Sequence, residues 1–588
     1  MKKFSQLLLL FTANSLTFSA FAACDCGSSD QNQPCSGNSI NVTVNGARSL
    51  VFNWSFQSGQ QAALCGQFAN GDYWIAPADG ENSVTLTAVT GSGSGPLSLD
   101  ENPKPESIGL LDSINTYGNY VAEENILNAL PLNFSQNTSL VAAIQKDEAT
   151  HGNCGTRAIE GNCVEAYHVV TLLDQVPANA GVTVLRPSID EPVKELLDLS
   201  AFDFNRLPSL PYIDSIDSAE MESIRQRWSH STEIFSIKAT NGEVYSEGGR
   251  AFRADSLVDD YASGVARTFY QNVLSLMASG NDEAEKRQAL AAILTYGKDL
   301  YYGVYDHDVR TRGWSSGAGQ HLGKFPPTVL FAALYEDDFY ANVLRQTSLT
   351  MLGLRDGNSP QELEQINVGI NGPIWGDFPD EMGRYEVTRY WSEMLGGQCF
   401  DGATGECRSS IGKKTTRDPY GFIDGPPAKP GSSYMAVSAG PIRGFAALSH
   451  LIPEVCSIIN YPLLTEYTDR IGNQGLLTEN DNCAPPDPRE DPSTCDAYRG
   501  RDCEYYGLSN TGTATWGPVS EENLMQCIPN NSNGNSGQNG RYPHYHGDTV
   551  SIGYPALLVE GNWQAIRNSP QPCLLNDLIF SNSFENAQ

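Results

Sequence analysis

Apolar and polar residues alternate one by one in an early part of this chain and repeat at helical spacing farther on. INVTVNGARSLVFNWSF and NSVTLTAV, within 39–89, alternate strictly and are broken by Asn-Gly and Gly-rich turns, which predicts β-strands. EAYHVVTLL (165–173), GVTVLRPSI (181–189) and IFSIKATNGEVYSEGG (234–249) predict further strands, the last as a hairpin around its Asn-Gly. Near Arg250 the period changes. The stretches 255–279, 283–305, 327–353, 384–396, 433–450 and 463–472 carry apolar residues at helical spacing, with Asp255 placed as an N-cap. From about Thr478 Pro, Asp, Asn and Cys dominate, and NNSNGNSGQNG (530–540) is of low complexity.

These shifts divide the 588 residues into four parts. Residues 1–22 read as a signal peptide: Lys2 and Lys3, an apolar core around Leu7 to Phe11, and Ala20-Phe21-Ala22 as the cleavage site. A β-rich domain is expected over 23–250, helix pairs over 251–477, and a disulfide- and loop-rich extension over 478–588. The expected class is α+β and multidomain: an antiparallel β-sandwich-like domain followed by an (α/α) toroid or helical bundle. No later stretch is apolar and long enough to cross a bilayer, so a secreted or periplasmic monomer is expected, without stable membrane insertion.

Composition narrows the function. A formal charge of −32 argues against nucleic acid as a partner, because phosphate neutralisation needs a basic surface. All 14 cysteines follow the signal, as suits an exported chain with disulfides; none has the CxxC spacing of a zinc knuckle. One island breaks the acidic trend. Arg384, Arg389, Arg408, Lys413, Lys414 and Arg417 outnumber Glu386, Glu393, Asp401 and Glu406 between 384 and 417, which suggests an anionic ligand or simply a solvated basic face.

The most informative stretch is RTRGWSSGAGQHLGKFPPTVLFAAL (310–334). A Gly- and Ser-rich segment brings Arg312, Trp314, His321 and Lys324 to an apolar helix. Together with RYEVTRYW (384–391), YMAVSAGPIRGFAALSHL and YPLLTEYTDRIG, this stretch resembles secreted polysaccharide lyases with (α/α) toroid catalytic domains, of the heparinase and alginate-lyase kind. The resemblance spans roughly residues 250–475. It implies β-elimination on a uronic-acid-containing polysaccharide, with no organic cofactor.

That chemistry removes a weakly acidic C5 proton, so it needs a carboxylate neutraliser, a base, and an acid for the departing oxygen. His321 is a candidate base or neutraliser, Tyr385 or Tyr390 the acid/base, and Arg384 or Arg389 the carboxylate clamp; Tyr385 and Arg389 share a face if helical. Trp314 and Trp375 are candidate stacking platforms, with Lys324, Arg312 and Asn371 (or Asn367) as further substrate contacts.

Each residue has a plainer reading in capping or packing. A glycoside hydrolase would draw on Asp377, Asp380, Glu381 and Glu386. A serine hydrolase would use Gly313-Trp314-Ser315-Ser316-Gly317, which lacks the strand that must precede a nucleophile elbow. A non-catalytic carbohydrate binder would use Tyr73 and Trp74 as a sugar platform, unless these belong to the sandwich core. His544, His546 and Asp548 form the best metal-like cluster, and 479–496 has the oxygen density for a structural calcium without the EF-hand pattern, so no catalytic metal is assigned.

Overall fold

The computed structural model describes residues 35–44, 50–93, 95–102, 125–145, 164–189, 191, 193–229, 237–240, 243–246, 262–306, 310–311, 321–346, 433–459, 468 and 556–569. These form an α+β protein with two large apolar cores, one between sheets and one among helices.

Ten strands build the first part. They are β1 (Cys35–Gly37), β2 (Ser39–Val44), β3 (Leu50–Gln57), β4 (Ala63–Gln67), β5 (Tyr73–Ala76), β6 (Val84–Gly91), β7 (Leu97–Glu101), β8 (Leu132–Phe134), β9 (Thr138–Gln145) and β10 (Val164–Leu172). One sheet has the order β2-β3-β6-β8 and the other β1-β4-β5-β10-β9-β7. In β3 the alternation is literal: Leu50, Phe52, Trp54 and Phe56 are buried while Asn53 and Gln57 are exposed. They meet Ile75, Leu140, Ala142, Val170 and Leu172 of the other sheet in one core. Cys65, buried in β4, is disulfide-bonded.

The six-stranded sheet is covered on both faces, which explains the nearly unbroken apolar runs of β9 and β10. Val141, Ala143, Tyr167 and Val169 pack with Ile189 on the outer face, and Trp74 and Ala76 pack with Leu173 and Val184. Among the described strands every pairing but one is antiparallel. The exception, β5 with β10, is parallel, because the chain leaves β5 and returns to its edge only after completing other strands.

The segment after β10 corrects one expectation. Instead of a strand over 181–189, only Val184–Leu185 (β11) pairs, with Leu197–Asp198 (β12). Gly181 sits at φ +87, where a Cβ would press on the Trp74 indole, so the chain turns there. Arg186 then points between the two parts of the molecule. The predicted hairpin appears as Ile237–Thr240 (β13) with Glu243–Ser246 (β14).

The helices are α1 (Ser218–Ser229), α2 (Ala262–Leu276), α3 (Glu283–Val304), α4 (His321–Leu334), α5 (Phe339–Gln346), α6 (Ser433–Leu451), α7 (Pro453–Ile459) and α8 (Leu557–Arg567). The helix expected over 327–353 begins earlier and breaks in the middle. Asp203 N–H and the Arg206 guanidinium take the carbonyls of residues 333–335, and Asp337 accepts from the Phe339 amide to start α5. The expected loop-rich extension contains α8, whose Val559, Trp563 and Ile566 enter the helical core. The expected N-cap Asp255 and the helix over 384–396 lie outside the described residues, as does 463–472 except Thr468.

Four of these helices run the same way. Tyr270 of α2 packs against Gly444 of α6, and Leu210 N–H bonds to the Met277 carbonyl just past the end of α2. On α8, Glu560 pairs with Arg443 of α6, and seven residues on the Arg567 carbonyl meets His450. Phe325 near the start of α4 meets Phe445 of α6 at 5.6 Å. Short loops in an up-and-down bundle make neighbours antiparallel, so parallel neighbours require return segments elsewhere.

The sandwich and the helical layer are joined through buried charge. Arg186, fully buried, donates from Nε to Asp72 Oδ2 at 2.7 Å and from Nη2 to Asp299 of α3, and from Nη1 to its neighbour's carbonyl. Burial opposes the guanidinium charge, yet Asp299 and Asp72 more than reverse this and raise its pKa. Beside it Lys298 pairs with Glu191 at 3.0 Å, both buried, and Lys194 donates to the carbonyls of Ser188 and Ile189.

Candidate functional site

Of the residues proposed for the elimination site, two are described. His321 is the first residue of α4 and Lys324 lies one turn in, followed by Pro326 and Pro327. Both therefore stand on the helix rather than on the Gly-rich segment before it. Lys324 is 1% exposed, and its carbonyl accepts from Thr328 Oγ1. Arg312, Trp314, Asn367, Asn371, Trp375, Arg384, Tyr385, Arg389 and Tyr390 lie outside the described residues. So do Ser315, the carboxylates Asp377, Asp380, Glu381 and Glu386, the cluster His544, His546 and Asp548, and the segment 479–496.

The sugar platform suggested by Tyr73 and Trp74 is overturned. Tyr73 is 8% exposed and lies in the sandwich core, while Trp74 is fully buried on the opposite face and donates from Nε1 to the Ala180 carbonyl at 2.9 Å. Successive strand residues point to opposite faces, so a strand buried on both sides consumes both rings in packing.

The direction of the helices organises what remains. α2, α4, α6 and α8 converge with their C-terminal ends on one cleft, lined among others by Leu210, Leu451 and Ala565, with Asp203 beside the end of α4. Their N-terminal ends, His321 and Ser433 among them, therefore face the other way. α6 is 19 residues long, which separates the two ends by about 28 Å. Aligned peptide dipoles put partial positive charge at the N-terminal side and partial negative charge at the cleft.

Between the ends lies a buried polar cluster that sequence reading missed. Arg443 (1% exposed) pairs with Glu560, and Tyr270 beside Gly444 is fully buried. Arg443 Nε and Nη1 and the Tyr270 hydroxyl have no hydrogen-bond partner among the described residues. Burial pushes the Glu560 carboxyl up, and Arg443 opposes that without cancelling it. Burial likewise drives the Tyr270 phenol well above its ordinary range. The signal was present as an arginine inside the apolar run GPIRGFAAL, where a cation costs several kcal/mol unless paired (about 3–5 on removal of a partner).

Among the described residues no group of three or more His, Cys, Asp or Glu could hold a metal ion, and no helix is long and apolar enough to cross a membrane. No protein-family model matches the chain, and neither the curated proteins nor the solved structures give a match.

Proposed function

We propose that this chain is an exported carbon–oxygen lyase that cleaves a uronic-acid-containing polysaccharide by β-elimination, working on an (α/α) toroid of which α2, α4, α6 and α8 are inner helices. The observation that carries the reading is the shared direction of these four helices. It gathers their N-termini at one end, where partial positive charge suits a polyanion in a chain of net charge −32. His321 opens α4 at that end, joined to the Gly-rich stretch that bears Arg312 and Trp314.

In this reading His321 serves as base or carboxylate neutraliser. Tyr385 or Tyr390 handles the proton traffic, and Arg384 or Arg389 clamps the carboxylate. Trp314, Trp375, Arg312 and Asn371 hold the sugar chain, while Lys324, expected beside them, is buried in the helical layer and drops out of the contact set. The chain's own acid–base groups suffice for the elimination, and any divalent metal would be structural.

Ultraviolet absorbance tests this directly, because elimination leaves a conjugated unsaturated uronate. Purified protein is incubated with alginate, glucuronan, pectate, ulvan and glycosaminoglycans. A rise with one polymer, lost in His321→Ala, is the expected result. New reducing ends without that absorbance would replace the reading with hydrolysis. Binding to a polyanion without any turnover would replace it with a carbohydrate-binding role.

A further inference from the structure

The four-stranded sheet turns one face into the sandwich core and the other to solvent, on the opposite side of the sandwich from Arg186. No Asp, Glu, Lys, Arg or His occurs in any of its strands, β2, β3, β6 and β8, in a chain of which 18% is charged. An ordinary protein surface is about 25–35% charged, so a face of this size would normally carry a few charges. Its four strands span about 14 Å across, and the eight residues of β3 run about 26 Å along it.

What the face carries instead is amide and hydroxyl groups in rows. Asn41 stands opposite Asn53, and Asn53 opposite Thr90. The next row sets Ser39 against Ser55. In the third, Gln57 stands opposite Thr85, which donates from Oγ1 to Asn133 Oδ1 at 3.2 Å. Asn41, Asn53, Gln57, Thr90 and Asn133 are exposed. Burial of Phe52, Trp54 and Phe56 fixes the register of β3 from below, so Asn53 and Gln57 are held outward. Each amide offers donors and an acceptor, and each hydroxyl can act as either.

We infer that this face binds a neutral polysaccharide, whose hydroxyl groups pair with such rows and bring no charge of their own. An anionic polymer is disfavoured, since these strands offer no cation and the chain carries −32. A protein partner is disfavoured as well. Stable interfaces centre on buried aromatic, Met or Arg anchors, whereas the outward apolar side chains here are Val51, Ala88 and Leu132, all part-buried. The inference is independent of the elimination reading, because that reading draws on residues after the sandwich.

Depletion of the full chain from solution by insoluble cellulose, chitin and curdlan tests it, with calcium alginate gel as the charged probe. Retention by at least one neutral glycan is expected, and it should persist in high salt because no ion pair forms. Asn53→Ala and Gln57→Ala should each weaken retention several-fold, and about tenfold together, as suits the loss of two hydrogen-bonding groups. Both side chains are exposed, so the variants should keep the near-ultraviolet ellipticity of the wild type. His321→Ala should be retained as the wild type is, so failure of the elimination reading leaves this test standing. No retention by any of the three neutral glycans, or retention unchanged in the double variant, would overturn the assignment. So would retention by alginate alone. A dimer in sedimentation that the double variant dissociates, without retention by a glycan, would replace the assignment with a contact between copies of this chain.

Discussion

Replacing Arg186 with alanine would leave two carboxylates facing each other with no cation between them. Asp72 is 2% exposed and Asp299 3%, so water cannot take over the role of the guanidinium. Breaking a buried ionic group by removing one partner costs about 3–5 kcal/mol. Two local donors temper the loss here. Asn70 Nδ2 stays 2.8 Å from Asp72, and the Ile189 amide stays on Asp299 Oδ1. The expected cost is therefore near the lower limit, about 3 kcal/mol, still a large share of the ~5–15 kcal/mol that stabilises a typical domain. Urea unfolding should be followed by two signals, far-ultraviolet ellipticity for the helices and near-ultraviolet ellipticity for the packed aromatics of the sandwich. In the wild type the two transitions should nearly coincide, and in Arg186→Ala they should separate and move to lower urea. The triple variant Arg186→Met, Asp72→Asn, Asp299→Asn removes all three charges together and should recover most of the loss. An Arg186→Ala protein within about 1 kcal/mol of wild type, with coincident transitions, would refute the claim that this triad couples the two parts.

Other expectations follow from the helical core and its phenols. Phe331 of α4 meets Phe202, Tyr301, Tyr335 and Tyr340, so Phe331→Ala should cost about 3–5 kcal/mol by cavity formation, read as a fall in the urea midpoint at unchanged slope. Tyr302 and Tyr340 place their hydroxyls 3.3 Å apart, and burial raises both phenols, with Glu191 raising Tyr302 further and Glu195 raising Tyr340 further; burial alone raises Tyr270. The native state thus holds protons that the unfolded chain releases near pH 10, so stability should fall as pH rises through that value. Phenolate absorbance should accordingly stay short of full ionisation until the protein unfolds; complete ionisation of the native state by pH 11 would contradict this.

Strands were legible wherever one face met the core and the other met water, as in β3, because alternation then carries the register. The failures have physical causes. At 181–189 the residues have β propensity, but Gly181 turns the chain and Arg186 is drawn to Asp72 and Asp299, long-range partners that no local pattern reveals. Tyr73 and Trp74 looked like a platform because a sequence does not say that the second face of their sheet is also covered. α8 was hidden by its Asn- and Gly-bearing surroundings, although Val559, Trp563 and Ile566 keep helical spacing. Of the candidate site, His321 and Lys324 were legible as a pair beside an apolar helix. That Lys324 would be buried was not, since three-to-four-residue spacing leaves the solvent-facing side of a helix undetermined when nearly all its residues are apolar. The cleft at the far end was invisible in the sequence, because its lining comes from the 203–212 connector, α7 and the C-terminal ends of α6 and α8.

Arg186 belongs to the stretch between the last sandwich strand and the first helix, and it bonds to both sides. A gene fragment encoding only the helices would carry Asp299 and Lys298 without Arg186 and Glu191, their counter-ions upstream. A fragment ending with the sandwich would strand Asp72 in the same way. Recombination that moved the helical half onto another leader would therefore have to bring the connector along or replace four charges at once. In such a chain the unit of inheritance is the sandwich and helices together, and its descendants should vary at their loops and tails while keeping this seam intact.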